Sequence, residues 1–206
     1  KKLDIKWTCE MRFEKHLTRE LLTSMRDAGC LKIVFGLESF NQRVMDFMKK
    51  GIKQEWVRRI SGDCVDLGIA VHCYIIVGFP TEKEEEARET MNFIVENERL
   101  NNSYGFSCQP CLFDLEKEAP IMSDPGSYGI RRIMRPSAED LSLGFFYEVS
   151  EGMTPDEAER LYQHVYEKVS EVVCELPFNY SMADGLLYIA RAKAQEVREP
   201  QPAGLS

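Results

Sequence analysis

Residues 32–51 read KIVFGLESFNQRVMDFMKKG, and residues 71–86 read VHCYIIVGFPTEKEEE. In each, a short apolar run passes into a turn that carries glycine or polar residues. Each turn then opens onto a helical pattern. The runs are of strand length, and glycine and proline punctuate them. This order puts GLES (36–39) and GFPTE (78–82) at the carboxyl ends of parallel strands. That is the end where α/β sheets and barrels carry their chemistry.

Working outward, Leu3 to Arg12 (LDIKWTCEMR) alternates apolar and polar residues and predicts a strand. Thr18 to Ala28 predicts a helix with Thr18 as N-cap, Gly29 as stop, and Leu17, Leu21, Leu22 and Met25 on one face. Leu31 to Phe35 is the next strand. Asn41 to Lys49 predicts a short helix, and Gln54 to Leu67 a longer one ending at Gly68. Ile69 to Val77 is nearly all apolar, as in a strand buried on both faces. Thr81 to Leu100 predicts an acidic helix whose early carboxylates suit the N-terminal dipole, with Glu82 to Glu86 as a solvated face. Tyr104 to Leu112 is a fourth strand. The β-α-β-α-β-α-β rhythm predicts an α/β fold, a parallel sheet with right-handed helical crossovers.

Beyond Phe113 the rhythm breaks. Asp114 to Pro136 carries Pro120, Pro125, Gly126, Gly129 and Pro136 and predicts a long ordered loop. Helices are expected over Ala138 to Val149, Thr154 to about Leu176, and Met182 to Val197. Thr154-Pro155-Asp156-Glu157 is a helix-start signal, with proline at the first helical position. Phe145, Phe146, Tyr162 and Tyr166 read as core stripes. The expected division is 1–113 for the sheet and its crossovers, 114–136 for the loop, 137–199 for a helical region, and 200–206 for a disordered tail.

The bulk numbers bound the function. The chain has 206 residues and a formal charge of −8, which argues against nonspecific binding to nucleic acid or anionic membranes. No apolar run reaches the roughly 18–20 residues needed to span a bilayer, and the longest, Tyr74 to Phe79, is of strand length. The chain opens on Lys1 with no signal peptide, so we expect an excised part of a longer protein. Seven cysteines at irregular spacing suggest reduced thiols and a cytoplasmic setting.

Taken together, WTCEMR (7–12), AGCLKIVFGLESFNQRVMDFMKKG (28–51) and VHCYIIVGFPTEKEEEARETMNFI (71–94) resemble the radical S-adenosylmethionine (SAM) superfamily. The likeness is to the group that often carries an upstream cobalamin-binding domain, and also to methylthiotransferases and oxygen-independent coproporphyrinogen oxidase. It covers residues 3–112. The resemblance implies a partial (β/α) barrel, these strands being the third to sixth of six. It implies an intact parent enzyme in which a reduced 4Fe–4S cluster cleaves SAM for radical chemistry, with methyl transfer where cobalamin is present. The family's CxxxCxxC loop is absent: Cys9, Cys30, Cys64, Cys73, Cys108, Cys111 and Cys174 do not reproduce its spacing. Cluster ligands are therefore expected outside this chain, and its first expected partner is the missing N-terminal half of the same protein. Two other readings stay open. One is a non-catalytic half-barrel whose open sheet edges pair with a partner or with a second copy. The other is a barrel enzyme of another family. The substrate is not legible.

The resemblance also implies site residues, each with a plainer alternative. Glu38, with Ser39 beside it, would hydrogen-bond the SAM ribose; alternatively Glu38 caps the helix at Asn41. Lys50, twelve residues on, would take the SAM carboxylate; alternatively it is a solvated lysine at a helix end. Glu10 would take the SAM ammonium, and Arg12 the SAM carboxylate or the substrate; alternatively the two form a salt bridge across the barrel mouth. Gly78 and Pro80 would border adenine, or they simply make a strand-to-helix turn. Tyr74, in register with His72, would point into the barrel, or His72 is an ordinary core histidine. Cys108 and Cys111 form a CxxC that binds metal or is incidental; His164 lies far along the chain. Cys9 reads as a buried thiol.

Overall fold

The computed structural model describes residues 5–99, 105–135 and 144–172. Strands β1 (Trp7–Met11), β2 (Cys30–Glu38), β3 (Ala70–Val77) and β4 (Phe106–Leu112) pair in chain order, all parallel. The crossovers are α1 (Arg19–Asp27), then α2 (Gln42–Phe47) with α3 (Gln54–Asp66), then α4 (Glu84–Arg99). Thr18 caps α1 as expected, accepting the Leu21 N–H, and Gly29 stops it with a φ of 99°. The Leu3 strand begins at Trp7 within the described residues, and the α/β barrel-type sheet is present.

The described helices of the crossovers pack on one face of the sheet. Ile33, Phe35 and Leu37 of β2 and Val71, Cys73 and Ile75 of β3 share one core with Leu22 of α1, Val57, Ile60 and Cys64 of α3, and Phe93 and Ile94 of α4. Complete burial of one such Leu, Ile or Phe stabilises by about 1.5–3 kcal/mol. The other face carries Glu10, Lys32, Glu38, His72, Tyr74, Ser107, Gln109 and Cys111, which have the opposite parity. The expectation that β3 is buried on both faces is therefore corrected: its burial alternates, and Tyr74 is 37% exposed. His72, Tyr74 and Ile76 look apolar enough for a core, but no described helix covers their side of the sheet.

Past β4 the chain departs from the expected long loop. Pro120–Ser123 and Pro125–Tyr128 are single 3₁₀ turns, and Ile130–Met134 is a strand, β5. Phe146–Val149 forms β6, antiparallel to β5. This corrects the helix expected to reach Val149. Tyr147 is buried there while Phe146 is 58% exposed, which also removes Phe146 from the expected core. The last described helix is α5 (Pro155–Val172). It starts where the Thr154–Glu157 signal puts it, and the start is a capping box in which the Thr154 N–H and hydroxyl both donate to Glu157 at 2.8 Å. The expected helix over 182–197, the tail and Tyr166 lie outside the described residues or side chains.

Candidate functional site

The carboxyl end of β2 builds the centre of the site. The β2–β3 register slips between Gly36 and Glu38, and Glu38 sits at a φ of 65°. A bulge of this kind re-aims a side chain. Here it turns Glu38 away from the α2 cap, which Asn41 supplies by accepting the Val44 N–H. The capping alternative for Glu38 is thereby removed.

α2 then closes with a Schellman turn. The Lys50 N–H donates to Met45 and the Lys49 N–H to Asp46, each at 3.0 Å. Lys49 takes the left-handed conformation usual for glycine, with a φ of 56°. The turn throws Lys50 back over β2, where its Nζ lies 3.1 Å from Glu38 Oε1. Both side chains are largely buried, 25% and 18% exposed respectively. The Arg12 guanidinium, at the end of β1, donates to the Lys50 carbonyl. Three sequence-predicted residues thus form one unit.

Gly36 makes room for that unit. A Cβ at Gly36 would meet Glu38 Oε1 at 2.9 Å and Lys50 Nζ at 3.6 Å. Gly36 was missed as a site residue, although it is the first residue of the GLES turn. Glu10, Arg12, Gly36, Glu38 and Tyr74, with Leu21 of α1, line one cavity of about 760 Å³. Among these, two carboxylates, one cation and a phenol border an open space of ligand size. Lower on the sheet face that carries Glu38 and Tyr74, His72 Nδ1 lies 2.8 Å from the Ser107 hydroxyl. Burial, and secondarily the charge of Lys32, depress the His72 pKa to about 4, so the ring is neutral. It meets the Tyr74 ring edge-on at 5.4 Å. The plain reading of His72 as a satisfied histidine accounts for these contacts.

The remaining predicted residues lie elsewhere. Ser39 is fully buried and shares a 3.1 Å hydrogen bond with Thr90 of α4. Gly78 has a φ of 81°, and a Cβ there would come within 2.4 Å of the Ala158 Cβ. What approaches the Gly78 backbone closely is α5. Pro80 is buried in the same turn. Glu82 corrects the expected solvated face: it is 1% exposed, and its carboxylate accepts the Gly78 N–H at 2.7 Å. Its helix starts only at Glu84, which leaves Glu82 inside the turn.

Among the described residues no group of three His, Cys, Asp or Glu is arranged to hold a metal ion. Cys108 is buried and Cys111 exposed, as a three-residue spacing on a strand requires. The two thiols of the CxxC therefore differ in exposure. Burial pushes the Cys30 and Cys64 thiols up to about 12. No described helix is long and apolar enough to cross a membrane.

Residues 7–94 match the family described as the radical SAM superfamily. An uncharacterized methyltransferase of Pyrococcus horikoshii is 31% identical over 91 residues, covering 44% of this chain and 20% of the relative. A tRNA-2-methylthio-N(6)-dimethylallyladenosine synthase of Helicobacter pylori is 32% identical over 88 residues, covering 41% and 20%. The chain thus spans about one fifth of the length of the curated relatives it matches. Among solved structures, coproporphyrinogen III oxidase (HemN) of Escherichia coli, a radical SAM enzyme, superposes with a TM-score of 0.56 at 13% identity, over 82% of this chain and 33% of that one. The radical SAM methyltransferase TsrM of Kitasatospora setae, with cobalamin and a 4Fe–4S cluster bound, gives 0.54 at 15% identity, over 94% and 45%. At these identities the structures speak for the fold alone, a partial barrel.

Proposed function

The chain belongs to the radical SAM superfamily, and on that premise we propose that Glu10, Arg12, Glu38, Lys50 and Tyr74 hold SAM at the open end of its sheet. The observation that carries this is the bulge-and-turn unit: Glu38 and Lys50 are brought to 3.1 Å over the cradle left by Gly36. Lys50 suits the carboxylate of SAM and Glu38 the ribose diol, since an ionised carboxylate accepts from both hydroxyls. Glu10 suits the amino group. Arg12 acts through the Lys50 carbonyl and holds the loop, and Tyr74 forms a wall. Ser39, Gly78 and Pro80 serve the scaffold in this reading. The chemistry supplied by bound SAM and a reduced 4Fe–4S cluster is radical generation, and cluster thiolates come from the N-terminal half of the same protein. The similarity to a methyltransferase and a methylthiotransferase supports group transfer of a methyl or methylthio unit, with cobalamin in the methyl-transfer case. The setting is cytoplasmic, in keeping with six cysteine thiols among the described residues.

The test is SAM binding by equilibrium dialysis, with wild type beside Lys50→Ala and Glu38→Gln. Loss of a charge-assisted hydrogen bond is worth about 1.5–3 kcal/mol, roughly 10- to 150-fold in Kd. Unchanged binding in both variants would overturn the assignment. The edge strands favour a second reading, because β1 and β4 each pair on one side only among the described residues. Failure of all forms to bind SAM, with retained pairing to the upstream half or to a second copy, would favour a strand-pairing module.

A further inference from the structure

Glu82 is the most deeply buried carboxylate among the described residues, and the site described above does not use it. It sits in the turn between β3 and α4, where three separate parts of the chain meet. Its Oε2 accepts the Gly78 N–H at 2.7 Å, and its own N–H donates to the Phe79 carbonyl at 2.8 Å. Its carbonyl accepts the Met153 N–H at 2.8 Å, from the corner that launches α5. The residue before it, Thr81, is β-branched yet has a φ of 74°, a costly conformation that persists only when its surroundings enforce it. Those surroundings are two glycines of the C-terminal part. A Cβ at Gly129 would lie 2.5 Å from Thr81 Cγ2, and one at Gly152 would lie 2.5 Å from the Thr81 carbonyl carbon. Arg43 of α2 adds a third tie, donating to the Thr81 carbonyl at 2.9 Å.

We propose that Glu82 is a positioning residue: it holds the Gly78–Thr81 turn in its strained form and ties that turn to the Gly152–Met153 corner, so that the mouth of the barrel and the C-terminal element move as one unit. The inference rests on geometry within this chain and stands whether or not the chain binds SAM. Charge reaches Glu82 from two sides. Glu86 of α4 opposes its ionisation and Arg43 favours it, while Glu151, in the corner before α5, shares the field of Arg43. Burial is the largest influence and raises its pKa to about 7. The joint therefore senses protonation: neutral Glu82 sits comfortably in the turn, and the ionised form loads it.

The experiment follows backbone amides of the intact chain by NMR from pH 5 to 9, in wild type, Glu82→Gln and Glu82→Ala. The expected result is that the Gly78 and Met153 amides titrate with one shared midpoint near 7 in wild type. Glu82→Gln abolishes both titrations and keeps both amides near their low-pH positions, since glutamine accepts the same bond without charge. Glu82→Ala lowers exchange protection of the Met153 amide at least tenfold while amides in α1 and α3 are unmoved. If Gly78 titrates and Met153 does not, the carboxylate is only a local brace and the proposal fails. It also fails if neither amide responds near neutrality, or if both still titrate in Glu82→Gln. Should Glu82→Ala not fold, the comparison of wild type with Glu82→Gln decides alone.

Discussion

Replacing Gly78 by alanine tests what that glycine is for. Its φ of 81° lies where an L-residue with a Cβ is strained, at a cost of roughly 1–2 kcal/mol. The new methyl would also sit 2.4 Å from the Ala158 Cβ, far inside the 3.5–4.0 Å of an ordinary carbon contact. Overpacking of this kind costs roughly 1–3 kcal/mol. Together the expected loss is about 2–5 kcal/mol, which for a chain of this size lowers Tm by roughly 4–20 °C. Urea and thermal unfolding of Gly78→Ala, Ala158→Gly and the double variant separate the two terms. Ala158→Gly alone costs about 1 kcal/mol through helix propensity. In the double variant the steric part disappears, so its loss should fall short of the sum by about 1–3 kcal/mol. A Gly78→Ala loss below about 0.5 kcal/mol, or additivity within that margin, would refute the packing of α5 on this turn. Gly78 would then be free to serve a ligand instead.

Other perturbations read other parts of the structure. Glu82 has its pKa raised to about 7 in the folded chain, against ~4.3 unfolded. Between those values the folded form keeps a proton that the unfolded form has lost. Stability is therefore full below the window and lost as pH rises through it, by about 1.4 kcal/mol per pH unit and roughly 3–4 kcal/mol in all. Urea denaturation at pH 5 and pH 8 should show about 2–3 kcal/mol of that drop for wild type and little of it for Glu82→Gln; parallel behaviour of the two would remove the argument. Lys49→Gly relieves the left-handed lysine of the Schellman turn and should stabilise by about 0.5–1 kcal/mol, visible as a raised Tm. Among the six described thiols, Cys111 is exposed and should be alkylated first in the native chain, while Cys30, Cys64 and Cys73 wait for unfolding. Mass mapping after a timed reaction checks the order.

Much of the barrel part was legible because its signals are local. Thr18, Gly29, Gly68 and the Thr154–Glu157 box each mark an end by a bond that spans a few residues, and each mark stands where the sequence puts it. The β6 segment was not legible. Phe145-Phe146-Tyr147 supplies aromatic residues that suit a helix stripe or a strand equally, and only pairing with β5 decides. β3 misled for a related reason. Its run of Tyr, Ile and Val says that the strand is apolar, but which face is covered depends on where three crossovers lie. β2 holds the clearer sign, since Lys32, Val34, Gly36 and Glu38 alternate with Ile33, Phe35 and Leu37, and the polar set is the one the helices leave open.

The site itself divides along the same line. Glu38 and Lys50 could be named from a family pattern, but not the reason they meet, which lies in backbone conformations that non-glycine residues seldom adopt. Glu38, Lys49 and Thr81 are the non-glycine residues at positive φ among the described ones, and all three stand at the carboxyl end of the sheet. Two of them shape the Glu38–Lys50 unit, and the third lies beside Glu82. Such strain costs about 1–3 kcal/mol each and persists where surrounding structure over-determines it. For Glu38 the surroundings are the β2–β3 bulge, for Lys49 the end of α2, and for Thr81 the glycines at 129 and 152. The first two are local to the barrel strand and its crossover, so a barrel lacking the C-terminal element should keep them. The third is supplied from about 50–70 residues away, so it should relax when that element is undocked. Strain at Thr81 therefore makes the mouth of the site depend on the C-terminal part, a dependence that neither segment's sequence carries alone.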